Sequence, residues 1–164
     1  MWYYNNKEIT EEEIDNKYVG FVYVITNLSN NRKYIGQKML KRKVKKQLVK
    51  RDKNGKVIKD KNGKSIKVRK TITESSDWLT YYGSNEHLNK EVNEIGKDNF
   101  RRDILFFCVS KAQMNYVETF LQFKYNVLFD ETYYNGIVNC RISTSQLTKI
   151  DPSFMIEVNN IEIR

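Results

Sequence analysis

Residues 38–70 hold sixteen of the chain's 29 Lys and Arg residues and only two acids, Asp52 and Asp60. Charge at this density cannot be buried, so this stretch adds almost nothing to a hydrophobic core. The folded body must be assembled from the residues on either side of it. The stretch carries +14, whereas the other residues carry 13 bases and 18 acids, a balance of −5. The formal charge of +9 therefore describes a mildly acidic domain with one intensely basic insert. Such a cluster is an electrostatic footprint for a polyanion, the bland alternative being a solvated lysine-rich loop. A membrane surface is a poorer partner, because the cluster offers no helix with an apolar face.

Within the insert, Arg51-Asp52-Lys53-Asn54-Gly55-Lys56-Val57-Ile58 is followed by Lys59-Asp60-Lys61-Asn62-Gly63-Lys64-Ser65-Ile66, a tandem duplication. Asn-Gly favours a type I′ turn, and alternating Lys and Val/Ile flank each pair. This predicts a two-turn β ribbon over about residues 44–70, narrow enough to enter a DNA major groove. Lys41, Arg42, Lys43, Lys45, Lys46, Arg51, Arg69 and Lys70 are the expected DNA-binding residues. Phosphate contacts by lysine position a duplex without reading it, so the ribbon predicts affinity more than specificity.

The flanks supply the core. With 164 residues, 40% of them apolar and 13% aromatic, the chain has material for one compact domain. No apolar run approaches the ~18 residues of a membrane span, and the first residues lack the pattern of a signal peptide, which leads to the expectation of a cytoplasmic protein. Cys108, Cys140 and the single His87 suggest neither a disulfide framework nor a zinc site. Thr10-Glu11-Glu12-Glu13 predicts a short helix ending near Lys17, and Phe21 to Thr26 with Lys33 to Gly36 predicts a hairpin. Ser84 is the expected cap of a helix carrying Leu88, Val92 and Ile95, and Phe100 to Val109 reads as a buried strand. Ser110 opens a long helix with Met114, Val117, Leu121, Tyr125 and Leu128 on its apolar stripe. Ile137 to Ile142 and Phe154 to Ile163 read as strands.

Glu118 lies between Val117 and Leu121 and is expected at the edge of the packed interior, the alternative being an ordinary surface glutamate. Tyr23 and Tyr34 would by themselves be cross-strand aromatic packing. In combination they mean more. Phe21-Val22-Tyr23 followed by Tyr34-Ile35-Gly36 resembles the paired motif of the GIY-YIG nuclease family, with Phe and Val in place of the first Gly and Ile. Gly96 through Leu105, Glu118 in Asn115-Tyr116-Val117-Glu118 and Asn135 in Tyr133-Tyr134-Asn135 continue the resemblance in order, over about residues 19–140.

The resemblance implies an α/β domain with a three-stranded antiparallel sheet flanked by helices, a DNA endonuclease using Mg²⁺ or Mn²⁺. Residues 1–17 would be an N-terminal extension, 18–142 the nuclease domain with its basic insert, and 143–164 a tail. Glu118 would be the metal ligand, Tyr23 the general base or its close partner, and Tyr34 a donor that orients water or phosphate. Asn135 would fix a phosphate oxygen or a water. A phenol with a pKa of about 10 needs nearby positive charge to act as a base, and Lys38 is placed to supply it. The family's arginine after the second motif has no clear counterpart; Arg42 and Arg69 are the two candidates. Stand-alone bacteriophage members resemble this layout, and a homodimer is a further expectation because one such site cuts one strand. The competing reading is a DNA-binding protein that keeps the fold and lacks activity. A basic structural or ribosome-associated protein is a third, and it predicts that Tyr23, Tyr34, Glu118 and Asn135 do not converge.

Overall fold

The computed structural model describes residues 1–163 and divides the chain into two compact units, Met1–Leu40 with the chain from Asp77 onward, and Lys41–Ser76. In chain order the strands are β1 (Tyr3–Tyr4), β2 (Lys7–Glu8), β3 (Gly20–Asn27), β4 (Lys33–Met39), β5 (Lys41–Val49), β6 (Lys67–Ser75) and β7 (Phe100–Cys108). The helices are α1 (Glu86–Ile95), α2 (Lys111–Lys124), α3 (Thr144–Leu147) and α4 (Phe154–Asn159).

The larger unit is built on a sheet of order β2-β1-β7-β3-β4. Its antiparallel centre, β7-β3-β4, is the expected three-stranded sheet, but the whole sheet has five strands. The extra two come from the N-terminal residues: β1 pairs antiparallel with β2 and parallel with β7. Two-residue strands carry no readable alternation. Their turn, Asn5-Asn6, has φ of 50° and 63°, the positive-φ pair that a two-residue hairpin requires and asparagine tolerates. Trp2, 2% exposed, anchors this edge by stacking edge-on against Phe21 and Tyr23 and donating Nε1–H to the Trp78 carbonyl at 2.7 Å.

β3 is apolar on both faces because both are covered. Phe21, Tyr23 and Ile25 face a core shared with Trp2, Trp78, Leu88 and Val92, so α1 lies on that side. Val22 and Val24 face Met114, Val117 and Leu121 of α2 on the other. Phe21, fully buried, fills space that the Gly of the family's first motif would leave empty. The α2 cap forms at the expected residue: Ser110 Oγ accepts from the Gln113 N–H at 3.1 Å. The helix ends earlier than its apolar stripe suggests, at Lys124, and Asn126 turns the chain with φ 49°. Asn85, one residue beyond the expected Ser84, caps α1, and the Thr10 capping box opens only the short 3-10 turn Glu11–Glu13. Residues 137–142 form no strand, and Phe154–Asn159 is helical. In that tail Phe154, Ile156 and Val158 give the apparent alternation, but Phe154, Met155 and Val158 fit helical spacing, and these three meet the α2-side core. Among the described residues, no helix is long and apolar enough to cross a membrane.

The smaller unit is the ribbon, longer than expected: β5 pairs antiparallel with β6 from Lys41↔Ser75 to Val49↔Lys67. At its tip the two repeats form two small hairpins, Arg51 bridging Val57 and Lys59 bridging Ser65. A ring of backbone bonds joins them, from Lys50 N–H to Ile66 O, Ile58 N–H to Lys50 O and Ile66 N–H to Ile58 O, at 2.7–3.0 Å. The turns are not type I′, because only Gly55 (φ 81°) and Gly63 (φ 76°) have positive φ, while Asn54 and Asn62 do not. Asp52 Oδ1 accepts from the N–H groups of Asn54 and Lys56, and Asp60 Oδ1 does the same for Asn62 and Lys64, all at 2.8–2.9 Å. The aspartate at each turn start holds a type I turn, and the glycine follows as the left-handed residue of a bulge.

Candidate active site

Tyr23 on β3 stands opposite Gly36 on β4. A Cβ at position 36 would lie 2.5 Å from the Tyr23 hydroxyl and 2.8 Å from Cε1 of Tyr34, so the missing side chain is what lets both rings cover the strand. Their centroids are 6.2 Å apart. A register shift between Val22 and Tyr23 leaves Leu105 as an extra residue on β7 beside the site.

The Tyr23 ring is 1% exposed. Burial raises its phenol well above the usual value, and a hydrogen bond to Tyr81 and the charge of Glu118 add to the effect. Tyr34 is raised as well, chiefly by burial, although its hydroxyl meets Ser84 Oγ at 3.1 Å. Lys38 does not rest on Tyr23. Its ammonium lies 3.5 Å from the centre of the Tyr81 ring and binds Asp77 at 2.8 Å. The positive charge expected beside Tyr23 is therefore applied one aromatic ring away.

Glu118 projects from α2 toward β4, where Gln37 Nε2 donates to its carboxylate at 2.8 Å and to Asn115 Oδ1 at 2.9 Å. Burial pushes the Glu118 carboxyl up to about 7, with the Gln37 hydrogen bond opposing the rise. Gln37 Oε1 is buried with no protein partner. The Glu118 carboxylate and Asn115 Oδ1 are hard oxygen donors of the kind a divalent cation takes, and here both accept from the Gln37 amide nitrogen. Among the described residues no group of three His, Cys, Asp or Glu side chains could hold a metal, and Glu118 stands as a single carboxylate.

Asn135 sits along the free edge of β4. The chain after α2 runs beside that edge through bonds from Lys33 N–H to Thr132 O and Tyr134 N–H to Lys33 O, both 2.7 Å. The Asn135 amide then accepts from Ile35 N–H at 2.9 Å and donates to Ile35 O at 2.8 Å. Both of its polar atoms are thus engaged with β4 at Ile35, between Tyr34 and Gln37. Asn135→Ala strands the buried Ile35 N–H and is expected to destabilise the fold by about 1–3 kcal/mol in urea unfolding. Asn135→Asp, which still accepts but cannot donate, should fall between.

Arg42 and Arg69 belong to the ribbon unit. Arg42 binds Glu74 at 3.0 Å, and Arg69 stands opposite Gln47. Lys46 shares Glu74 at 2.7 Å, and Arg51 donates to Gly55 O at 2.8 Å. Lys41, Lys43, Lys45 and Lys70 complete the basic strands. Sequence reading missed Gln37, Tyr81, Ser84 and Asn115. For Gln37 a signal existed, since it follows Gly36 directly, and Asn115 lies one helical turn before Glu118 on α2; Tyr81 and Ser84 meet the site only through long-range packing.

Two tyrosines packed over Gly36, with one half-buried carboxylate from α2 in electrostatic reach, make up a single-carboxylate arrangement on an α/β scaffold. The family model described as "Putative endonuclease segE, GIY-YIG domain" matches residues 2–138, and the chain belongs to this GIY-YIG family. Comparison with curated proteins and with solved structures finds no match.

Proposed function

We propose that the chain is a DNA endonuclease that hydrolyses phosphodiester bonds with one divalent cation, Mg²⁺ or Mn²⁺. The observation that carries this reading is the pair of α2 oxygens, the Glu118 carboxylate and Asn115 Oδ1, brought together by the Gln37 amide N–H groups, with Glu118 in electrostatic reach of Tyr23 and Tyr34. Glu118, with Asn115 Oδ1 beside it, would hold the cation in place of the hydrogen bonds that both now accept from the Gln37 amide. When bound, it supplies Lewis-acid polarisation of the scissile phosphate and helps the 3′ oxygen leave.

The chain's own groups divide the remaining work. Of the two roles open to Tyr23, its raised phenol supports the second, a partner that keeps its proton and aligns the attacking water. Tyr34 can exchange its Ser84 hydrogen bond for one to a phosphate oxygen. Lys38, held over Tyr81, contributes the positive charge of the cluster. Asn135 acts as a positioning residue that sets β4, and with it Gly36 and Gln37. The ribbon, with fifteen Lys and Arg residues against three acids between Lys41 and Ser76, holds DNA through its phosphates.

One observation favours a second reading, a DNA-binding protein without activity. Arg32 is committed to Glu91, Arg101 to Asp103, and Arg102 to the Leu79 and Tyr81 carbonyls, so none of these three is available to a phosphate. A supercoiled-plasmid assay separates the two. With Mg²⁺ the wild type should produce nicked circles before linear DNA, EDTA should stop it, and Tyr23→Phe should slow it about 100-fold. Wild type that binds the plasmid yet nicks no faster with Mg²⁺ than with EDTA leaves the second reading standing.

A further inference from the structure

The ribbon is two-faced. Side chains alternate along each strand, and the antiparallel register places Val44 opposite Ile72 and Leu48 opposite Val68 on one face. That face also carries Glu74, which already binds Arg42 and Lys46. The opposite face has a different character. It presents Lys41, Lys43 and Lys45 from β5 and Lys67 and Arg69 from β6, with no acidic side chain among its residues. At its distal half, Gln47 and Arg69 stand directly opposite one another.

We infer that this acid-free face enters the major groove of duplex DNA and that Gln47 and Arg69 read bases there. The inference rests on the DNA-binding part of the proposed function and adds sequence selectivity to it. Three physical points carry it. A polyanion is drawn more strongly to the face with five cations and no acid than to the one where Glu74 offsets part of the charge of Arg42, Lys46 and Lys70. A two-stranded ribbon fits a groove about 12 Å wide, and same-face neighbours about 6.7 Å apart along a strand match two base-pair steps. Finally, Gln47 and Arg69 are planar side chains with paired hydrogen-bonding groups, able to contact adenine N6/N7 and guanine O6/N7 in two places at once. The lysines beside them are point charges suited to phosphates. Opposed across the ribbon, the two readers address neighbouring base pairs, so the preferred site should contain an adenine and a guanine at fixed spacing.

The test is selection of bound duplexes from a randomised library by the full chain in EDTA, where cleavage plays no part. Wild type should enrich a short motif with one guanine and one adenine position. Arg69→Lys should erase the guanine preference, weakening the selected site about 10- to 100-fold while leaving the salt dependence of binding unchanged. Gln47→Ala should erase the adenine preference. Lys43→Ala with Lys45→Ala should weaken all sequences alike and flatten the salt slope by about two. These substitutions are on exposed positions, and circular dichroism verifies the fold of each. Absence of any enriched motif, survival of the motif in Arg69→Lys with Gln47→Ala, or tighter binding to an RNA hairpin than to duplex DNA overturns the inference. Because the readout is binding alone, a chain that selects a motif but never nicks DNA would sink the nuclease reading and leave this one intact.

Discussion

Glu118→Ala is expected to abolish Mg²⁺-dependent nicking, by about a thousandfold or more, while leaving DNA affinity in EDTA unchanged. The scale follows from losing several kcal/mol of charge stabilisation at the phosphate. A more discriminating version uses pH. Burial holds the Glu118 carboxyl up to about 7 against an ordinary value of 4.5. Between those values the folded chain binds a proton that the unfolded chain has released. The stability contributed by the protonated carboxyl is complete below pH 4.5 and is lost as pH rises through 7. Metal-free wild type should therefore lose stability relative to Glu118→Gln between pH 5 and pH 8. Divalent cation should restore the difference at pH 8 and do little at pH 5, since only the carboxylate binds it. Urea unfolding with and without Mg²⁺ measures both effects. Identical pH dependence in the two proteins would remove Glu118 from its proposed position.

Gly36→Ala is expected to be nearly as damaging, although it adds one methyl group. The new Cβ would meet the Tyr23 hydroxyl at 2.5 Å, its Cζ at 2.7 Å and Cε1 of Tyr34 at 2.8 Å. Tyr23 has nowhere to go, because Trp2 and Tyr81 pack edge-on against its ring. Overpacking of this kind costs about 1–3 kcal/mol. The relief, a displaced Tyr34 or a shifted β4, moves the groups proposed to align water and phosphate. Nicking should fall by at least about 100-fold at temperatures where circular dichroism shows the variant folded. Gly136→Ala is the control, since a Cβ there meets nothing within 4 Å and its φ is ordinary. Normal nicking by Gly36→Ala would mean that the two rings do not form the site.

What was legible in the sequence was local. β3 and β4 announced themselves as β-branched and aromatic runs around an asparagine-rich turn, and α2 by its serine cap and apolar stripe. The resemblance placed Tyr23, Tyr34 and Glu118 on those elements, and the ribbon followed from its repeat. The illegible parts were non-local or too short. The β1–β2 hairpin has two residues per strand and is held by Trp2, whose partners lie at positions 21, 23 and 78. The tail offered an alternating set, Phe154, Ile156 and Val158, and a helical set, Phe154, Met155 and Val158, and packing against the α2-side core accompanies the helix.

The sequence by itself determined where the charge lies, which residues line the central strands, and that a glycine follows the second tyrosine. Each of these is a property of composition or of spacing along one strand or helix. Only the tertiary structure decided what surrounds those residues: Lys38 over Tyr81, Asn135 clamped to Ile35, and Gln37 joining Glu118 to Asn115. It also sorted the ribbon's cations into a face with Glu74 and a face without acid. The reason is physical. A hydrogen bond or a buried charge depends on atoms brought within about 3 Å of each other from distant points of the chain, and on how much water that approach removes. Neither quantity is written in the spacing of residues along one segment.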